Sequence, residues 1–100
     1  MENTEEFAEI FKALSDPTRL KIIRLLSDCT PGICQGGRLC VNALSQRLGV
    51  TQSAVSQHLR ILKHAGLVYG ERQGSFMHYS INPDGIKKCT AWFNNTFGEQ

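Results

Sequence analysis

Cys40-Val41-Asn42-Ala43-Leu44-Ser45-Gln46-Arg47-Leu48-Gly49-Val50-Thr51-Gln52-Ser53-Ala54-Val55-Ser56-Gln57-His58-Leu59-Arg60-Ile61-Leu62-Lys63-His64 holds two apolar stripes of helical period separated by a single glycine. Val41, Leu44 and Leu48 fall on one side of a helix over Cys40 to Leu48, and Gly49 suits the left-handed residue that ends it. Thr51 is a capping residue for a second helix that runs to about His64 or Ala65, with Val55, Leu59 and Leu62 inward and Gly66 beyond its end. Two short helices joined by a tight turn make a helix-turn-helix, whose second helix is the element that enters a major groove.

The outward face of that second helix has the chemistry for the task. Thr51, Gln52, Ser53, Ser56, Gln57, Arg60 and Lys63 provide hydrogen-bonding groups and positive charge, and the helix carries no carboxylate to repel a phosphate backbone. Glutamine pairs with adenine N6 and N7, serine reaches base edges or phosphate, and arginine reads guanine or grips phosphate. Ser53, Ala54 and Ser56 are short enough to let the start of the helix lie deep in a groove. His58, beside Val55 and Leu59, is read first as a half-buried structural residue; base contact and metal ligation are the other two roles open to it.

Working outward, Leu67-Val68-Tyr69 and Phe76-Met77-His78-Tyr79-Ser80-Ile81 read as two strands around a turn from Gly70 to Ser75. This hairpin follows the recognition helix directly, which suits a wing whose Arg72 and Gln73 approach the adjacent minor groove. Asn82-Pro83 starts a last helix with Ile86, Cys89, Phe93 and Phe97 on one stripe and Trp92 alongside. Upstream, Phe7, Ile10, Phe11 and Leu14 mark a helix from Thr4 to Leu14 with an Asn3/Glu6 capping box. Asp16-Pro17 starts a second helix through Leu20, Ile23 and Leu26 to about Ser27. Pro31-Gly32 and Gly36-Gly37 make Asp28 to Leu39 a loop. The expectation is a mainly α winged helix-turn-helix: four helices, a β-hairpin wing and a C-terminal helix, in a single domain over residues 1–100.

With 100 residues, 41% hydrophobic and 20% charged, the chain has the balance of an ordinary globular domain. A domain of this size buries only about two-thirds of its unfolded surface, so a partner subunit is the expected supplement to its core. Five of its eight aromatic residues, Phe7, Phe11, Trp92, Phe93 and Phe97, lie on the terminal helices at about 4–14 and 83–97 and offer a dimer interface. The net charge of +2 conceals a segregation: residues 1–16 carry −4, residues 17–72 carry +6, and residues 73–100 are neutral. A basic centre points to a polyanionic partner more clearly than the total does. The acidic start, Met1-Glu2-Asn3-Thr4-Glu5-Glu6, and the lack of any long apolar run predict neither a signal peptide nor a membrane span, hence a cytoplasmic protein without a membrane partner.

Three segments resemble the ArsR family of winged-helix repressors: Phe11-Lys12-Ala13-Leu14-Ser15-Asp16-Pro17-Thr18-Arg19-Leu20, then Thr51 to Leu62, then Gly66-Leu67-Val68. The resemblance runs in order over roughly residues 5 to 95. It implies a homodimer built on the first and last helices, two recognition helices in successive major grooves of a palindromic double-stranded operator, and release of DNA when an effector binds.

Many ArsR-family members bind a thiophilic metal or metalloid through a Cys-Val-Cys segment before the recognition helix. Here the matching segment is Leu39-Cys40-Val41-Asn42-Ala43-Leu44, so the second cysteine is Asn42, a poor ligand for a soft metal. Cys29-x4-Cys34-x5-Cys40 instead offers three thiols, a set suited to As(III), Sb(III) or a soft divalent metal as effector, with no cofactor needed for folding. Two alternatives stay open for the same residues: a thiol-redox sensor that forms a disulfide or persulfide near Arg38, and small buried side chains with no sensing role. Cys89, on the apolar stripe of the last helix, is expected to be a packing residue.

Nothing arranges a cysteine with His58, His64 or His78 as nucleophile and base, and no phosphate-cradling glycine loop is present, so the sequence does not read as an enzyme. A winged-helix module for protein or RNA is the alternative of another class. Exposed aromatics or leucines would be expected on the recognition face of a protein binder, and that face has neither.

Overall fold

The three-dimensional structure, a computed structural model, describes residues 3–28 and 39–98. The helices start where the capping residues place them. Helix α1 (Thr4–Leu14) begins after Asn3, whose side chain accepts from the Glu6 N–H at 3.0 Å. Helix α2 (Pro17–Ser27) begins after Asp16, which accepts from the N–H groups of Thr18 and Arg19 at 2.8 and 3.1 Å. Helices α3 (Val41–Leu48) and α4 (Gln52–His64) are joined by a turn in which Gly49 has φ +69°. Helix α5 (Pro83–Phe97) closes the order.

Three strands make the sheet: β1 (Leu39–Cys40), β2 (Val68–Gln73) and β3 (Phe76–Ile81), arranged β1-β3-β2 and antiparallel throughout. Two expectations are corrected here. Leu39 and Cys40 are a strand, because their backbone pairs with Tyr79 and His78, so the wing is a three-stranded sheet and not a hairpin alone. The hairpin also extends past Tyr69: β2 continues to Gln73, opposite Phe76, and only Gly74 and Ser75 form the turn. Gly74 has φ +63°, the conformation a two-residue hairpin of type II′ needs at its first central position.

One apolar cluster unites these elements. Ile10 and Ala13 of α1, Ile22 and Leu26 of α2, Leu44 of α3, Val55, Leu59 and Leu62 of α4, and Leu67 and Val68 at the start of the sheet are all buried. In α2 the inward side is set by Ile22 and Leu26; Leu20, read as part of the apolar stripe, is 51% exposed. Asn82 secures the far end: its backbone N–H donates to the Leu67 carbonyl and its side chain to the Gly66 carbonyl, both at 2.9 Å. These bonds fix the turn after α4 to the start of α5, and with it the angle at which the wing leaves the recognition helix.

Candidate nucleic-acid interface

Helix α4 is seated by its apolar side. Val55, Leu59 and Leu62 have no exposed surface, and this leaves Gln52, Ser53, Ser56, Gln57 and Arg60 exposed on the opposite face. Thr51 caps the helix, with its Oγ1 accepting from the Ala54 N–H at 3.1 Å. The first turn carries no acid, so the partial positive charge of the helix N-terminus is unopposed where a phosphate would approach.

Two contacts that periodicity does not show hold this helix in place. Arg19, at the start of α2, donates through Nε to the Ala13 carbonyl at 2.6 Å and places Nη1 3.1 Å from His58 Nδ1. A guanidinium has only donors, so His58 Nδ1 accepts and its proton sits on Nε2. The Asp16 carboxylate lies 3.9 Å from the same nitrogen. The Arg19 backbone N–H is the largest of the effects that hold the Asp16 carboxyl below its ordinary 3.8; desolvation opposes it, and the Arg19 charge and the Thr18 N–H add to it. His58 is thus engaged with α2 and turned from the outward face, in line with its structural reading.

The second contact joins the two helices of the motif: Gln52 Nε2 donates to Asn42 Oδ1 at 3.0 Å. Gln52 is therefore partly committed to α3, whereas Ser53, Ser56 and Gln57 stand clear on the exposed face. Arg60 lies further along that face and lines a cavity of about 440 Å³ with Glu9 and Lys12 of α1. On the wing, Arg72 and Gln73 are exposed, and so are two aromatic residues that the strand pattern does not assign to a face, Tyr69 at 49% and Phe76 at 62%.

Comparison with known proteins places this arrangement. The family model for the bacterial regulatory proteins of the arsR family matches residues 16–69. The chain belongs to the ArsR family. It is 41% identical to an uncharacterised helix-turn-helix-type transcriptional regulator of Methanocaldococcus jannaschii over 88% of this chain and 91% of that one. It is 34% identical to the transcriptional repressor SdpR of Bacillus subtilis over 86% and 87% of the two chains. Among solved structures, HlyU of Vibrio cholerae superposes with a TM-score of 0.72 at 28% identity over 98% of each chain. A homodimeric winged helix-turn-helix DNA-binding domain of Mycobacterium bovis gives 0.71 at 26% identity over 92% of this chain and 78% of that one. As an ArsR-family protein it is a DNA-binding regulator of transcription and not an enzyme.

The ArsR-type sensing segment is only partly present. Cys40 caps α3, with Sγ accepting from the Ala43 N–H at 3.4 Å, and its side chain is half-buried. Asn42, where the family's second thiol would stand, is taken up by Gln52, so the Cys-x-Cys pair does not fit here. Cys29 and Cys34 lie outside the described residues, and among the described residues no three His, Cys, Asp or Glu side chains converge on a metal-sized point. Cys89 is buried in the core as expected, and that burial pushes its thiol up.

The terminal helices carry a continuous aromatic cluster. Phe11 packs edge-on to Trp92 at 5.1 Å and to Phe93 at 5.4 Å, Phe7 lies 5.9 Å from Trp92, and Phe97 lies 5.8 Å from both Trp92 and Phe93. Lys88 and Glu6 close the same seam at 2.7 Å. Phe7, Phe11 and Trp92 use much of their surface within the chain, whereas Phe93 remains 48% and Phe97 70% exposed. Among the described residues no helix is long and apolar enough to cross a membrane.

Proposed function

We propose that the protein is a homodimeric repressor that holds a palindromic operator through Thr51, Gln52, Ser53, Ser56, Gln57 and Arg60 of α4 and Arg72 and Gln73 of the wing. The observation that carries this reading is the carboxylate-free outer face of α4, backed by a fully buried apolar side and followed at once by a wing with an exposed arginine. The exposed rings of Phe93 and Phe97 support the dimer, with Phe7, Phe11 and Trp92 beneath them. The domain of Mycobacterium bovis with the same fold is described as homodimeric.

The effector in this reading is a thiophilic metal or metalloid held by thiolates of Cys40, Cys29 and Cys34. Relatives include arsenical resistance operon repressors of Escherichia coli and Bacillus subtilis and a cadmium resistance regulator of Staphylococcus aureus. A soft cation would supply strong bonds to sulfur. What this chain contributes is a short route from thiol to DNA: Cys40 caps α3, Asn42 sits in the first turn of α3, and Asn42 is bonded to Gln52 at the start of α4. A shift of the start of α3 therefore moves the recognition helix without passing through the core.

The test is binding to the region upstream of the protein's own gene against random duplex over a salt series, then titration of the complex with arsenite, cadmium, zinc and a disulfide oxidant. Specific binding with a steep salt dependence supports the repressor, and no duplex affinity at low salt refutes it. Effector-dependent release that survives replacement of Cys29, Cys34 and Cys40 together by Ser removes the thiolate site.

A further inference from the structure

Strand β1 is two residues long and pairs with β3 at Tyr79 and His78, so among the described residues Met77 and Phe76 have no partner on that edge of β3. There the chain turns away into α3, and a cleft of about 420 Å³ opens between the wing and the helix-turn-helix. Ser75, Phe76 and Met77 form one wall; Cys40, Asn42 and Gln52 form the other. Phe76 is 62% exposed on the wing wall, and among the described residues none that lines the cleft is acidic.

The topology of duplex DNA says what such a cleft is for. A helix in the major groove and a wing in the neighbouring minor groove are separated by one sugar–phosphate strand, and that strand must cross whatever space lies between them. We infer that this cleft seats that strand, with Asn42 and Gln52 donating to a phosphate oxygen and the Phe76 ring packing on the adjacent deoxyribose. The donor inventory allows it. Gln52 spends one amide hydrogen on Asn42 Oδ1 and keeps the other, and Asn42 keeps both of its own. Side-chain amides are among the usual phosphate partners, and an exposed ring suits the apolar side of a sugar. Gln52 is then a backbone clamp and not a base reader.

This inference rests on the DNA-binding reading above, and its test separates the two. Asn42→Ala, Phe76→Ala and Phe76→Leu are compared with wild type on operator and on random duplex of equal length, across salt. A neutral contact to the backbone predicts that Asn42→Ala and Phe76→Ala weaken both duplexes by a similar factor, about tenfold, with no change in the slope of log affinity against log salt. Phe76→Leu, which retains an apolar contact, stays within about threefold of wild type. One uncharged methylphosphonate at the crossing position weakens wild type more than it weakens Asn42→Ala, which keeps only the Gln52 contact. Operator DNA also slows alkylation of the Cys40 peptide, because Cys40 lines the same cleft. Both substituted residues are exposed, so thermal melting is expected to fall by no more than a few degrees, and only in Asn42→Ala, which loses the bond to Gln52; it serves as the folding control. Loss confined to operator, no loss in any variant, or equal methylphosphonate sensitivity in wild type and Asn42→Ala overturns the cleft assignment and leaves DNA binding standing. A wild-type protein that binds no duplex overturns both.

Discussion

Phe97→Ala is expected to raise the dimer dissociation constant by about 50-fold or more. A phenylalanine side chain offers roughly 150–250 Å² for burial, so Phe97, at 70% exposed, leaves about 140 Å² open to water in the isolated chain. A two-fold interface buries the residue twice, giving about 280 Å², or a gross apolar contribution of about 7 kcal/mol at about 25 cal/mol per Å². Ordering and imperfect packing at interfaces remove much of such a figure. A third of it, about 2.3 kcal/mol, still corresponds to about 50-fold in affinity. The monomer is spared because Phe97 lies in the last turn of α5 and most of its ring touches nothing in its own chain. Sedimentation velocity over a wide concentration range reads the dissociation constant, with helical circular dichroism and melting at low concentration as the folding control. A dissociation constant within about threefold of wild type, in a folded variant, refutes the aromatic face as the dimer contact. Operator binding gives the functional counterpart: the variant loses affinity for a full palindrome far more than for a half-site.

Three further outcomes follow from single features of the fold. A Cβ added at Gly85 would overlap the Gly66 carbonyl oxygen, so Gly85→Ala forces the start of α5 away from the turn after α4 and is expected to cost about 1–3 kcal/mol; an unchanged melting temperature refutes the close approach. Because the Asp16 carboxyl is held below its ordinary 3.8 by the Arg19 backbone N–H first of all, its contribution is present above that pH and is lost as pH falls through the lowered value. Asp16→Ala should therefore melt below wild type at pH 7 and converge with it in acid, and a difference that persists at pH 2 excludes the carboxylate as the cause. Cys40 is half-buried and Cys89 is buried with its thiol pushed up, so iodoacetamide at neutral pH should modify Cys40 in the native protein and Cys89 only after denaturation. Peptide mass spectrometry reads this, and equal native rates contradict it.

The sequence was legible wherever a local rule sufficed. Asn3, Asp16, Thr51 and Asn82 begin their helices because each has a side-chain oxygen within reach of backbone N–H groups two or three residues ahead. Val55, Leu59 and Leu62 follow the helical period, and the motif Ser-x-His-Leu at Ser56 to Leu59 with its neighbours carried the family. Strand β1 was not legible: two residues have no period, and Leu39-Cys40 becomes a strand only because Tyr79 and His78 are there to pair with it. Nor does Phe76-Met77-His78-Tyr79 alternate in polarity, so the strand pattern could not say that Phe76 points to solvent and Tyr79 packs against the core.

By itself, then, the amino-acid order determined the five helices, the position of the wing, the carboxylate-free recognition face and the aromatic terminal helices. These depend on capping, period and charge, which act over a few residues. Only tertiary structure decided that Arg19 meets His58 across 39 positions, that Asn42 holds Gln52, and that a cleft opens between Phe76 and the helix-turn-helix. Such contacts arise from the angle at which packed elements meet, and that angle is set by the whole buried cluster together.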